Sequence, residues 1–371
     1  MRRLVLSSFR SGDRSTRIDR RTFLLDPACE ENPSSYEIDL ILKGVRYEYG
    51  FTLDDTQVIS EYARRYPRGK AATIFRRDHL DVHLGEDHRT KGRAVVEILR
   101  QNSLYLSAAS AADHPGLRPL YEWFDTHISL CEASTRPARW AYTARLMSQQ
   151  RDRGKVLAML HVADLGITDA RLRKPDPEMM ARVRRIWKLL QQEMDIEEAP
   201  PFPDDDLPPL GISLSHRGKR GNVELDTQDE SLGTLVWLGL IGPVLDALAS
   251  GSVLLADEIE SSLHPTLVAQ LVQIFQSSLS NPNGAQLIFN SFDTGLLGNS
   301  VEDRILGRDQ VWFTEKLHDG GTRLYPLTDL NPRKAEAVGR RYLAGRYGAT
   351  PIVSAAEFEA LAAMATTEDS G

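Results

Sequence analysis

Gly251-Ser-Val-Leu-Leu-Ala-Asp257-Glu258-Ile-Glu-Ser-Ser262-Leu-His264-Pro265 joins a short apolar run to two adjacent carboxylates. Val253 to Ala256 have the length and composition of a fully buried parallel strand. Ligands of an open α/β sheet sit beyond the carboxyl ends of such strands, so Asp257 and Glu258 stand at the mouth of a site. Two acids there suit a cation carried by phosphate. Mg2+ takes oxygen ligands and keeps several waters, so Asp257 can hold it directly or through water. Glu258, one residue on and facing the other way, can orient or deprotonate an attacking water. Taken alone, the dipeptide reads more simply as a strand end with solvated acids, and the residues around it change that.

An apolar helix, Leu267 to Leu279, follows the acids. Before them, Ser231 and Thr234 can cap a helix that runs through Leu248, and the free amides at such a start favour an anion. The plainer reading is a serine N-cap, and the adjacent Asp229 and Glu230 oppose an anion there. After them, Ala285 to Phe289 reads as a second buried parallel strand, ending in Asn290-Ser-Phe-Asp-Thr294.

This order, from Glu230 to Thr294, resembles the ABC-like (SMC/RecF-related) ATPase heads of the bacterial AAA family. The resemblance covers most of the chain. It implies an α/β, P-loop NTPase-like head with an antiparallel β-subdomain and a helical insertion. It also implies site residues: Asp257 on Mg2+ and Glu258 activating water in the Walker B element, and Ser262 to His264 in the D-loop. Ser231, Gly233 and Thr234 fall in the signature motif, which meets ATP held by the opposite subunit. Asp293 matches the switch loop, but Phe292 stands where the family has a phosphate-contacting histidine, and a phenyl ring cannot donate to phosphate. ATP and Mg2+ are the implied cofactors. The implied partners are a second copy joined through the nucleotide face, and DNA or an effector encoded by a neighbouring gene.

The rest of the chain bounds these readings. With 371 residues, 41% apolar and 26% charged, it can bury a sizeable core. A net charge of −7 argues against coating nucleic acid over the whole surface. No apolar run reaches membrane-spanning length, and Met1-Arg-Arg-Leu-Val-Leu lacks a secretory core, which predicts a cytoplasmic protein with no membrane partner. Cys29 and Cys131 read as buried thiols. His79, His83 and His88 read as a solvated edge rather than a metal site.

In chain order, Tyr36 to Leu42, a Lys43-Gly44 turn and Val45 to Leu53 predict a β-hairpin, with further strands at Val58 to Tyr66 and Ala72 to Arg76. A helix is expected from Gly92 to Arg100, and Asn102 to Ser110 is similar to a strand-and-loop segment of the family. Leu117 to Leu130 is amphipathic. Trp140 to Leu165 and Pro177 to Met194 predict a helical pair, the second with Arg182, Arg184, Arg185 and Lys188 on other faces. An acidic, Pro-rich loop spans Glu197 to Pro209, and Leu210 to His216 with Asn222 to Leu225 predicts another hairpin. The expected organisation is an N-terminal part of the head at 1–130 and a helical insertion with linker at 131–209. A C-terminal ATPase lobe at 210–353 and a tail at 354–371 complete it.

A triphosphate site of this type needs a Gly-x-x-x-x-Gly-Lys-[Ser/Thr] loop, and none occurs. Either that loop lies upstream of Met1, or the protein has lost it. The second case would make the chain a non-hydrolysing head that serves as an interaction or scaffold protein.

Overall fold

The computed structural model describes residues 1–173 apart from 11, 12 and 14, parts of 178–189, residues 211–298, and 300–367 apart from 301, 334, 335 and 352. The expected helix from Pro177 to Met194 lies mostly outside these residues, and the loop from Glu197 to Pro209 lies wholly outside them. Two compact units divide the chain, Met1–Ser291 and Phe292–Gly371.

In the first unit, β1 (Ser34–Leu42), β2 (Val45–Leu53), β3 (Val58–Tyr66), β4 (Ala72–Asp78) and β5 (Asp81–Leu84) form an antiparallel sheet in chain order. Lys43 and Gly44 close the first hairpin with φ of 50° and 77°, the mirror-image turn that matches strand twist. Tyr49, Phe51 and Phe75 from this sheet are buried with Val5, Leu104, Tyr105, Leu106, Leu120 and Phe124.

Asn102 to Ser110 is a correction: residues Tyr105–Ala111 form a helix, not a strand. Its first amides, Tyr105 N (2.5 Å) and Leu106 N (3.0 Å), donate to the buried carboxylate of Glu61. Tyr49 Oη donates to the same group at 2.9 Å, and Arg77 lies 3.4 Å away with neither charge exposed. Arg77 also donates to the carbonyls of Ser103 and Arg100. Burial pushes the Glu61 carboxyl up, opposed by Arg77 and by the amides. The pair therefore ties the sheet to the segment that leaves it.

His88, expected on a solvated edge, is buried instead, with its ring 5.4 Å from that of the buried His114. His79 and His83 are exposed beside Asp78 and Asp81. Cys131 is buried, but Cys29 is only half-buried.

Helix Arg118–Thr126 gives way to β6 (Ile128–Cys131), a strand the amphipathic pattern conceals. The expected long helix from Trp140 is two, Arg136–Ser148 and Gln150–His161, separated by an extended Gln149 with no Gly or Pro to signal the break. β7 (Ile167–Arg173), β8 (Gly211–Gly218) and β9 (Gly221–Asp226) form a second antiparallel sheet.

Helix Leu232–Ser250 corrects the reading that no apolar run is long enough to cross a membrane, since its 19 residues pass on length and composition. Its apolarity matches its packing against both preceding helices. Trp140 Nε1 donates to Leu235 O at 2.8 Å and Trp237 Nε1 to Met159 O at 2.8 Å. The Thr143 hydroxyl accepts from Gly242 N and donates to Leu238 O, entering the helix ladder one residue before Pro243.

β10 (Val253–Ala256) pairs in parallel with β6 on one side and β11 (Gln286–Phe289) on the other. The expectation that β10 and β11 are fully buried is corrected. Leu254 and Ala256 are buried, whereas on the opposite face Leu130 and Ile288, aligned through Leu255, are 48% and 57% exposed.

The second unit holds the hairpin β12 (Trp312–Lys316) and β13 (Thr322–Pro326), and helices Val338–Leu343 and Ala355–Thr367. Phe313 stacks on Tyr342 and Tyr347 at the centre of its core.

Two predictions concern stability. Arg77→Met is expected to lower it by about 3–5 kcal/mol in denaturant titration, because a buried carboxylate loses its counter-charge; a loss under about 1 kcal/mol would show that the amides alone satisfy Glu61. Burial holds both His88 and His114 below the ordinary imidazole value of 6.5, with His114 and Arg65 adding repulsion at His88. The fold therefore binds fewer protons than the unfolded chain as pH falls through that value. Stability is present above it and is lost below, down to the folded pKa values. Melting temperature should fall between about pH 7 and about pH 5.5, and fall less in His114→Gln. Parallel profiles would remove the pair as the cause.

Candidate functional site

Parallel pairing sets the site. Ala256 lies opposite both Cys131 and Phe289, so β6, β10 and β11 end flush, and their next residues, Glu132, Asp257 and Asn290, share one edge. Asn290 Nδ2 donates to Asp257 Oδ1 at 2.6 Å, and its Oδ1 accepts from the backbone N–H of Glu258. One side chain thus fixes the rotamer of the first acid and the backbone of the second.

That backbone needs fixing. Glu258 has φ of 48° and Ser262 of 63°, left-handed conformations that disfavour a residue with a Cβ by about 1 kcal/mol or more each. The turn sends the Asp257 and Glu258 carboxylates to exposed positions beyond the sheet. Sequence reasoning places both acids correctly at the strand end but assigns Asn290 no task. Its signal is a polar residue directly after an apolar strand that neighbours the acidic one.

Ser231 caps its helix as expected, its Oγ accepting from Thr234 N at 3.2 Å and lying 2.9 Å from Thr234 Oγ1. Thr234 is only 4% exposed, so its hydroxyl serves the cap while Ser231 stays at the surface. Glu230, which as a neighbouring acid opposes an anion at this helix start, turns away. Its Oε1 lies 2.7 Å from His216 Nε2 on β8, with its side chain almost wholly buried.

A Cβ on Gly233 would stand 2.7 Å from the carbonyl oxygen of Ser262, so the helix start and the loop after the acids touch backbone to backbone. His264 is exposed, and its Nδ1 accepts from Thr266 N at 3.2 Å to cap helix Pro265–Gln276. The structure therefore gathers Ser231, Gly233, Asp257, Glu258 and Ser262 in the first unit. Asp293 belongs to the second unit, where its Oδ1 accepts from Gly295 N at 2.8 Å and caps a short turn. Phe292 is 82% exposed.

A small cavity opens beside the acids, lined in part by Cys131, Glu132, Arg136, Arg139, Asp257 and Glu258. Among the described residues no group of three His, Cys, Asp or Glu side chains is placed to hold a metal. Asp257 with water and phosphate oxygens would suit Mg2+, which typically takes one or two carboxylates and fills its other positions with such oxygens.

The sheet edge, the acids and the capped helix thus lie together in a mixed α/β fold. Residues 3–297 match the family described as "AAA domain, putative AbiEii toxin, Type IV TA system", and the chain belongs to that family. Among solved structures it is similar to an SMC head bound to the C-winged helix domain of ScpA. Identity there is 10% and the TM-score 0.34, over 76% of this chain and 73% of that one. No curated protein matches the chain.

Gly233→Ala is expected to destabilise the protein by about 1–3 kcal/mol, because the added methyl meets a carbonyl rather than a yielding side chain. Ser231→Ala should lower stability by about 1 kcal/mol through loss of the cap. Denaturant midpoints check both, and a neutral Gly233→Ala would mean that the Ser262 loop moves freely.

Proposed function

We propose that the protein binds and hydrolyses ATP as one half of a head-to-tail homodimer. Asp257 positions Mg2+, and Glu258 takes a proton from the attacking water. Ser231 and Gly233 meet the nucleotide of the second copy, with Ser262 and His264 along the interface. The observation that carries this reading is the Asn290 clamp, which holds two adjacent acids in fixed geometry at the carboxyl edge of a parallel sheet. Exposure of Ser231 at its helix start supports its reaching outward, and the withdrawal of Glu230 removes one like charge from that surface. The proposed organisation is a head part at 1–130, an insertion at 131–209, an ATPase lobe at 210–353 and a tail.

The wider role we infer is DNA handling or phage defence in the cytoplasm, with an effector encoded alongside. It rests on the family resemblance and on the family's description, which names a toxin–antitoxin system.

A second reading has its own observation. Phe292 presents an exposed ring where the family has a histidine. It favours a head that does not hydrolyse ATP and works as an interaction protein.

One experiment separates the two. Each missing charge-assisted hydrogen bond is worth about 1.5–3 kcal/mol, so residues 1–371 alone should bind a fluorescent ATP analogue more weakly than about millimolar. With a strand, a Gly-rich loop and a helix supplied ahead of Met1, Mg2+-dependent hydrolysis is expected. Glu258→Gln should then lower the rate by about a hundredfold or more while ATP still binds. Unchanged turnover would reject Glu258 as the base, and no turnover in the parent would favour the interaction protein.

A further inference from the structure

The cavity beside the acids has a basic wall. Arg136 and Arg139 stand on the first turns of the helix that follows β6, and they line the same space as Asp257 and Glu258. Arg139 is only 9% exposed. Its Nη2 donates to Glu132 O at 3.1 Å, yet its Nε is buried with no hydrogen-bond partner, and so is the Nε of Arg136. Buried donors on a charged group are seldom left unpaired, since an unmade bond leaves the full cost of desolvation.

Arg139 also hydrogen-bonds the Cys131 thiol, but the Nε of each arginine is left without a partner. Glu132, the nearest acid in sequence, accepts from Ser134 Oγ and shares a capping box with Thr135. Asp257 is held by Asn290. No ion pair among the described residues joins either arginine to a carboxylate. The stem of Arg136 passes over Gly239, where its Cγ would be 3.8 Å from an added Cβ, and this lets its head reach a cavity whose apolar wall is Val236 and Leu240. The space measures about 60 Å3, room for about two water molecules and far less than a nucleotide needs.

We propose that Arg136 and Arg139 form a subsite for a single phosphoryl oxyanion, with Asp257 holding the accompanying Mg2+. The proposal rests on the ATPase reading for its setting and extends it by naming the groups that take the terminal phosphate. Guanidinium donors suit tetrahedral oxyanions because two N–H groups can meet two oxygens at once. The acids alone would repel phosphate. Two cations lining the same space offset that repulsion, and a metal, when bound, would satisfy the carboxylates.

The test uses residues 1–371 with inorganic phosphate and Mg2+, which requires no nucleotide. Phosphate should raise the melting temperature in a saturable way, and Arg136→Gln should weaken its apparent affinity at least about tenfold without changing the melt in its absence. Asp257→Asn should remove the dependence on Mg2+. Should Arg136→Gln fail to fold, Arg136→Lys decides. It keeps the charge and loses the fork, so a weaker phosphate response supports the subsite and an unchanged one overturns it. Competition in the protein carrying the added Gly-rich loop separates the sources: displacement of phosphate by ATP but not by ADP assigns the subsite to a nucleotide's terminal phosphate, and no displacement by either assigns it to the free anion. No phosphate response at all sinks the subsite whatever ATP turnover shows. An intact response in a protein that never hydrolyses ATP sinks the ATPase reading instead.

Discussion

Parallel pairing of β10 between β6 and β11 is the constraint on which the site depends. Because Ala256 is level with Cys131 and Phe289, residues separated by more than 120 positions in the chain arrive at one edge. A slip of one residue would move Asn290 away from Asp257 and send every side chain of β11 to the other face. The clamp and the register therefore support each other, since Asn290 can bridge both acids only when the strands end together. The left-handed turn at Glu258 follows from the same arrangement, as strain held by a hydrogen bond from the neighbouring strand.

Around this edge the molecule uses buried polar contacts where apolar packing cannot set orientation. Glu61 and Arg77 fix the helix start at Tyr105, and Thr143 enters the ladder of the Leu232–Ser250 helix beside a proline. His216 draws Glu230 away from the exposed cap at Ser231. Each is a desolvated group with a partner, which is how such groups specify geometry rather than merely destabilise. Arg136 and Arg139 differ, because the Nε of each is buried without a partner beside the small space that the acids also line.

Gly233 shows how one residue can satisfy two readings. The family resemblance gives it a task at a neighbouring subunit's nucleotide, and the structure gives it a close approach to the Ser262 carbonyl. The second requirement holds whether or not the first does. A glycine in this motif is therefore weak support for nucleotide contact, whereas Ser231, exposed at the cap, is stronger.

The sequence by itself determined the elements whose signal is local. The hairpin of β1 and β2 follows from alternation and a Lys-Gly turn, β10 from an apolar run ending in acids, and the cap at Ser231 from a hydroxyl before an apolar helix. Both acids at the strand end were legible for the same reason. What tertiary structure decided is whatever rests on a distant partner. Tyr105 to Ala111 is helical where Glu61 accepts its first amides, β6 is a strand because β10 pairs with it, and His88 is buried against His114. Asn290 and the two arginines gain their meaning only from the sheet register. No periodicity in a chain records that two strand ends meet, because that is a property of pairing and not of either strand.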